Sequence, residues 1–330
     1  NYNPTNTQND DTNQNSGDSG QSTTTDSGTG KRIEKNTVTI YLPSETYPAL
    51  VYQFLGGRDV ANGGAVNNYS GTIGYIDGIK FYENHAMYGG AVYNFSLAKI
   101  GYIQDTTFEQ NSATYDGGAL YHIGESLDRI INSKFISNSA DGQKLSSKDT
   151  GYGGAIYKGK YNIDLTIINS DFTGNSAAKK GGAIAFMKGD NLNIIADGYS
   201  TGIGTSTFKN NTQLGGKNDI YMGGTKQKLN FTAFGESDAI EIGSGIDFNK
   251  DLTININGSI TGYNSSLGKG TVAFTGDIGS ASKRANMYLY GGTFSLTDGT
   301  SDSITNTVYA DKVYIAEDTK FAADVLLNSY

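Results

Sequence analysis

Two short strings recur in phase along this chain, and together they leave few folds open to it. Gly-Gly-Ala followed by a branched aliphatic residue starts at Gly63, Gly89, Gly117, Gly153 and Gly181. An isoleucine, four residues, a phenylalanine, two residues and an asparagine form the second string. Its copies are Ile76/Phe81/Asn84, Ile103/Phe108/Asn111, Ile130/Phe135/Asn138, Ile167/Phe172/Asn175 and Ile203/Phe208/Asn211. In the first four copies an alanine follows two residues after the asparagine, at Ala86, Ala113, Ala140 and Ala177. The fifth has Gln213 there, and its glycine pair runs into Lys217-Asn218-Asp219-Ile220-Tyr221, so the repeat changes character at that point. The longest interval carries an extra polar stretch, Asp141 to Thr150, which reads as a surface loop inserted into one unit.

A period of about 27 residues is too short for a four-stranded propeller blade, which needs roughly 40–45. Helical repeats need apolar residues at i, i+3, i+4 and i+7, whereas Thr253-Ile254-Asn255-Ile256-Asn257 alternates in the manner of a strand. The abundant Ser, Thr, Asn and Gly also oppose helix. The period fits one winding of an all-β, parallel β-helix, with three short strands and three turns per winding. Windings stacked ~4.8 Å apart place equivalent side chains in columns. Phe81, Phe108, Phe135, Phe172 and Phe208 then form an internal stack, and Asn84, Asn111, Asn138, Asn175 and Asn211 an amide ladder. Gly63, Gly89, Gly117, Gly153 and Gly181 supply the bend. Tyr93, Tyr121 and Tyr157 recur two residues after the repeat alanine and stack too, inside or outside. The Ile–Phe offset of five is odd, so either a corner lies between the two residues or one of them faces out.

Residues 1–34 are dominated by Asn, Thr, Ser, Asp, Gln and Gly and read as a disordered tail. Residues 35–221 carry the repeats, and 222–330 read as further, more degenerate windings. The first residues do not resemble a secretory leader, so the chain is read as a mature or excised fragment. Forty-five glycines with only 3 prolines exclude collagen, and the absence of cysteine excludes disulfide scaffolds and thiolate metal sites. The net charge of −8, with no basic stripe, argues against nucleic acid as a partner.

The paired strings resemble those of bacterial polymorphic outer-membrane proteins and related type V autotransporter passengers. Gly216-Lys217-Asn218-Asp219-Ile220-Tyr221, Gly270-Thr271-Val272-Ala273-Phe274 and Gly291-Gly292-Thr293-Phe294-Ser295-Leu296 are similar to strings farther along such passengers. The resemblance implies a right-handed β-helix on the outer surface of a diderm bacterium, carried there by a membrane β-barrel expected beyond residue 330. It also implies a non-enzymatic role in adhesion, with a host or neighbouring-cell protein or glycan as partner.

The chemistry-bearing residues offer no convergent set. His85 and His122 read as surface turn residues, with no third metal ligand in view. Asp105, Asp116, Asp171 and Asp219 are scattered and read as solvated turns. No catalytic, cofactor or metal residue is assigned, and no cofactor is expected. Two rivals remain: an enzyme acting on polysaccharide, whose paired carboxylates would converge from different windings, and a rod that self-associates through strand edges.

Overall fold

The computed structural model describes residues 23–25, 31–33, 37–40, 52–57, 60–142, 149–199, 202–296 and 306–322. Among them every regular element is a strand. One winding shows the plan. From Gly89 the chain runs through Val92–Phe95, Lys99–Gln104, Thr107–Glu109 and Ser112–Asp116, then meets the next glycine pair at Gly117. Each strand pairs in parallel with its equivalents in neighbouring windings. We call the four resulting sheets, in that order, the glycine, isoleucine, phenylalanine and alanine sheets. The register holds Tyr93 to Tyr121 to Tyr157, Ile103 to Ile130 to Ile167, Phe108 to Phe135 to Phe172, and Ala113 to Ala140 to Ala177. The protein is a parallel β-helix.

Each winding in the repeat region has four strands rather than the three expected from the period. The cause lies in two corners held by positive-φ residues, a conformation that L-residues enter only singly. The first corner settles the odd Ile–Phe offset. Gly78, Asp105, Asn132 and Asn169, with φ of 64°, 47°, 46° and 47°, each follow the repeat isoleucine by two residues. The turn there lets Ile103 and Phe108 both point inward, each fully buried. The second corner, at Glu83, Gln110, Ser137, Gly174 and Asn210, immediately precedes the ladder asparagine. It starts the extra strand.

The glycine pair turns the alanine sheet into the glycine sheet at very close backbone approach. A Cβ on Gly118 would stand 2.0 Å from the Gly154 carbonyl oxygen and 2.5 Å from that of Ser139, while Gly117 takes φ of 67°. Only glycine fits at Gly118 without displacing backbone.

The alanine sheet stops where the repeat changes. Thr212–Gln213 turns back antiparallel onto Gly216–Lys217. The other three sheets run on: Ile220 pairs with Ile246, Leu229 with Ile254 and then Met287, and Ile242 with Phe274. Within residues 1–34, Thr23–Thr25 and Lys31–Ile33 form a small antiparallel pair, and the second of them lies parallel to Val66–Asn68. The rest of that tail lies outside the described residues, as do 143–148 of the inserted stretch.

Candidate ligand-binding face

The interior is filled by columns. The rings of Phe81, Phe108, Phe135, Phe172 and Phe208 stand in single file, with successive centroids 4.8, 4.7, 4.6 and 4.6 Å apart and planes within 12° of parallel. Beside them runs the amide ladder. Asn84 Nδ2 donates to Asn111 Oδ1, Asn111 to Asn138, Asn138 to Asn175 and Asn175 to Asn211, at 2.9, 3.0, 2.9 and 2.9 Å. The second proton of Asn138 Nδ2 goes to the Phe108 carbonyl, and its Oδ1 also accepts the backbone N–H of Asn111. Each internal amide thus uses both donors and both acceptor positions, so its burial leaves nothing unpaired.

A hydroxyl ladder lines the first corner, at Thr106, Ser133, Ser170 and Ser206. The Ser133 backbone N–H donates to Ser170 Oγ (3.0 Å), whose own proton goes to the Ile168 carbonyl (2.8 Å). The sequence carries this signal, a hydroxyl residue two positions before each of the last four repeat phenylalanines, but the strings singled out above do not include it.

Asp219 and His122 are not the solvated turn residues that the sequence suggested. Asp219 is fully buried at the end of the amide ladder, accepting from Asn211 Nδ2 (2.7 Å) and the Ser244 backbone N–H (2.6 Å). Burial pushes its carboxyl up to about 7, against the pull of these hydrogen bonds. Asp116 is buried as well, and its Oδ1 receives the backbone N–H groups of Gly151 and Tyr152, both at 2.9 Å. Asp105 occupies a corner, and Asp171 receives the Thr207 hydroxyl.

His122 lies inside, third in a column of Asn68, Asn94, His122 and Lys158 on the glycine sheet. Asn68 Nδ2 donates to Asn94 Oδ1, which fixes the Asn94 amide with its nitrogen 2.9 Å from His122 Nδ1. The imidazole accepts there, so its proton sits on Nε2, a buried nitrogen without a partner. Burial, and after it the charge of Lys158, push His122 down to about 3. Lys158 is itself buried, donating to the carbonyls of Tyr161 and Lys188 at 2.6 Å each, and burial lowers it to about 8. His85 is on a different sheet, with Nδ1 2.8 Å from Ser112 Oγ. No group of three or more metal-binding side chains forms among the described residues.

With most interior polar groups hydrogen-bonded inside the coil, contact chemistry falls to the outside. Tyr93, Tyr121 and Tyr157 stack on the outer side of the glycine sheet at 5.4 and 4.8 Å, and burial pushes all three phenols up, Tyr157 to about 12. On the outer side of the isoleucine sheet, strand register sets nine residues in one file. They are Tyr75, Tyr102, Arg129, Thr166, Asn193, Asn230, Asn255, Tyr288 and Tyr314. Side chains bridge neighbouring windings along it. Asn193 Nδ2 donates to Thr166 Oγ1 (3.1 Å), Asn230 to Asn193 Oδ1 (2.7 Å) and Asn255 to Asn230 Oδ1 (2.7 Å). Tyr75 stacks on Tyr102 and Tyr288 on Tyr314.

One stretch of this file is walled. A groove of about 300 Å³ opens over Tyr102, Arg129 and Thr166, with Asp128, Ile163 and Asp164 at its rim. Next to it, Ile260 and Tyr263 cover the apolar outward residues Ile131, Ile168 and Ile195. Tyr263 is held there by its hydroxyl, which donates to Asp197 Oδ2 (2.7 Å), and by the Arg129 guanidinium 5.5 Å from its ring centre.

Residues 105–122 and 169–186 match the Chlamydia polymorphic membrane protein (Chlamydia_PMP) repeat. The resemblance seen in the paired strings is thereby found at two of their copies. Both matched segments start at the positive-φ residue of the first corner, Asp105 or Asn169, and end on the glycine sheet, at His122 or Phe186. They take in the phenylalanine, the ladder asparagine and the glycine pair. They leave out the isoleucine strand and with it the outward file. Neither the curated proteins nor the solved structures gave a match.

Proposed function

We propose that this chain is the rod of a surface-displayed autotransporter passenger and acts as an adhesin that contacts host or neighbouring cells. The observation that carries the reading is the match to the polymorphic membrane protein repeat on a β-helix whose interior is occupied by hydrophobic columns and satisfied ladders. Such a body is a rigid display scaffold, and recognition belongs to its outer faces and loops. Latex beads coated with the purified protein should be retained on cultured epithelial cells or on bacteria. Retention no higher than that of albumin-coated beads on all such surfaces contradicts the reading.

One observation favours an enzyme acting on polysaccharide: Asp128 and Asp164 rim the same groove. Both carboxylates are exposed, and Asp164 already receives the backbone N–H and the Nδ2 of Asn191, at 2.8 Å each. General acid catalysis calls for a carboxyl held protonated near neutral pH by a desolvating pocket, and neither residue has one. Release of reducing ends from a glycan panel, abolished by Asp128→Asn, would establish the enzymatic reading in its place.

A further inference from the structure

We propose that the outward file on the isoleucine sheet is a binding track for an extended, uncharged polysaccharide lying along the rod axis. This deepens the adhesin reading and rests on it. Three observations carry it.

The first is chemical. The file is made of phenols, amides, one hydroxyl and one guanidinium, without an aliphatic side chain. The phenols, amides and hydroxyl both give and accept hydrogen bonds and the guanidinium gives them, which suits a ligand covered in hydroxyls. The tyrosines of each stacked pair cover one another's faces. Asn193 is buried and braces Thr166 and Asn230, so the ligand meets Tyr102, Arg129, Thr166, Asn230 and Asn255.

The second is spacing. Successive members stand one winding apart, about 4.8 Å, a step close to the length of one pyranose unit. A polymer with one sugar per winding can therefore set one unit against each exposed polar side chain along the rod. The groove lined by Tyr102, Arg129, Thr166, Asp128 and Asp164 seats one such unit.

The third is charge and the placement of the repeat. The chain carries a net charge of −8, which disfavours polyanions such as sulfated or uronic-acid glycans. The matched repeat segments build the other three sheets and omit the file. The common repeat thus supplies the scaffold, and the isoleucine sheet is free to carry what distinguishes one such rod from another.

The test uses the purified chain on an array of immobilised neutral and acidic oligosaccharides, together with bead retention on cells. The variants are Tyr102→Ala/Arg129→Ala and, separately, Asn255→Ala, with Lys134→Ala on the outer side of the phenylalanine sheet as control. Melting temperatures identify any variant that fails to fold. We expect binding to neutral chains of several sugars, a loss of about tenfold or more in both track variants, and none in the control. Two results overturn the track. One is cell retention by the parent chain that persists unchanged in both track variants. The other is retention abolished by protease treatment of the cells but not by glycosidases, which points to a protein ligand. Either leaves the adhesin reading standing, whereas absence of retention by the parent chain removes that reading itself.

Discussion

Asn211 Nδ2 donates to Asp219 Oδ1 at 2.7 Å, and with that bond an amide ladder that runs from Asn84 ends on a buried carboxylate. The cap stands where the alanine sheet turns back on itself and the windings pass from four strands to three. Asp219 Oδ2 takes the Ser244 backbone N–H of the following winding, so one side chain joins the two parts of the rod.

This cap contributes a pH dependence with a definite sign. Asp219 holds its proton more tightly folded than unfolded, because burial raises it to about 7. Its contribution to stability is complete below pH ~4 and is lost as the pH rises through about 7. Asp219→Asn should remove that contribution, so that between pH 4 and 8 the variant's melting temperature rises with pH more steeply than the parent's. It should also cost about 1–3 kcal/mol, since one N–H of the new amide meets a donor. A variant with the parent's slope would show that another group sets it.

His122 opposes Asp219 over the same range. Its folded value is pushed down to about 3, so its contribution is present above pH ~6.5 and is lost as the pH falls. His122→Asn keeps an acceptor for Asn94 and removes the titration. The variant should then gain stability on acidification from pH 7 to 4, following Asp219 alone. Calorimetric scans across that range check it, and acid sensitivity equal to the parent's would contradict it.

Phe135 sits between Phe108 and Phe172 with no exposed surface. Phe135→Ala opens a cavity in the middle of the stack and should cost about 3–5 kcal/mol, with Phe135→Leu costing visibly less. Denaturant midpoints measure both. A loss under about 1 kcal/mol would mean the column does not hold the windings together.

Gly118→Ala should fail for a different reason, because its Cβ would press on the carbonyl oxygens of Gly154 and Ser139. The displaced backbone belongs to neighbouring windings, so the cost should exceed the ~1–3 kcal/mol of ordinary overpacking. Soluble yield and circular dichroism report it. A variant that melts with the parent would place the glycine pair away from the bend.

The columns were legible because stacking forces one residue type to recur: a phenylalanine neighbour is best matched by another, and an amide ladder tolerates few substitutes. The first corner was legible in principle too. Gly78, Asp105, Asn132 and Asn169 are all types that accept positive φ, each two residues after the isoleucine. The second corner was not, since Glu83 and Gln110 carry no such mark. Asn68, Asn94, His122 and Lys158 share a column with three different chemistries, which hid the burial of His122 and Lys158. The outward file escaped for the same reason: Tyr102, Arg129 and Thr166 form no string, and only strand register brings them together.

The central claim is that equivalent residues of successive windings lie directly over one another, and paired cysteines test it most directly in a chain that has none of its own. Thr107 pairs with Lys134, and Lys134 with Asp171, on the outer side of the phenylalanine sheet. Thr107→Cys/Lys134→Cys places the two Cα atoms about 4.8 Å apart, within disulfide reach, and should oxidise fully while the fold is kept. Thr107→Cys/Asp171→Cys spans two windings, about 9.6 Å, and should stay reduced. Efficient closure of the second pair, or failure of the first in a folded protein, would contradict the stacking on which the rest depends.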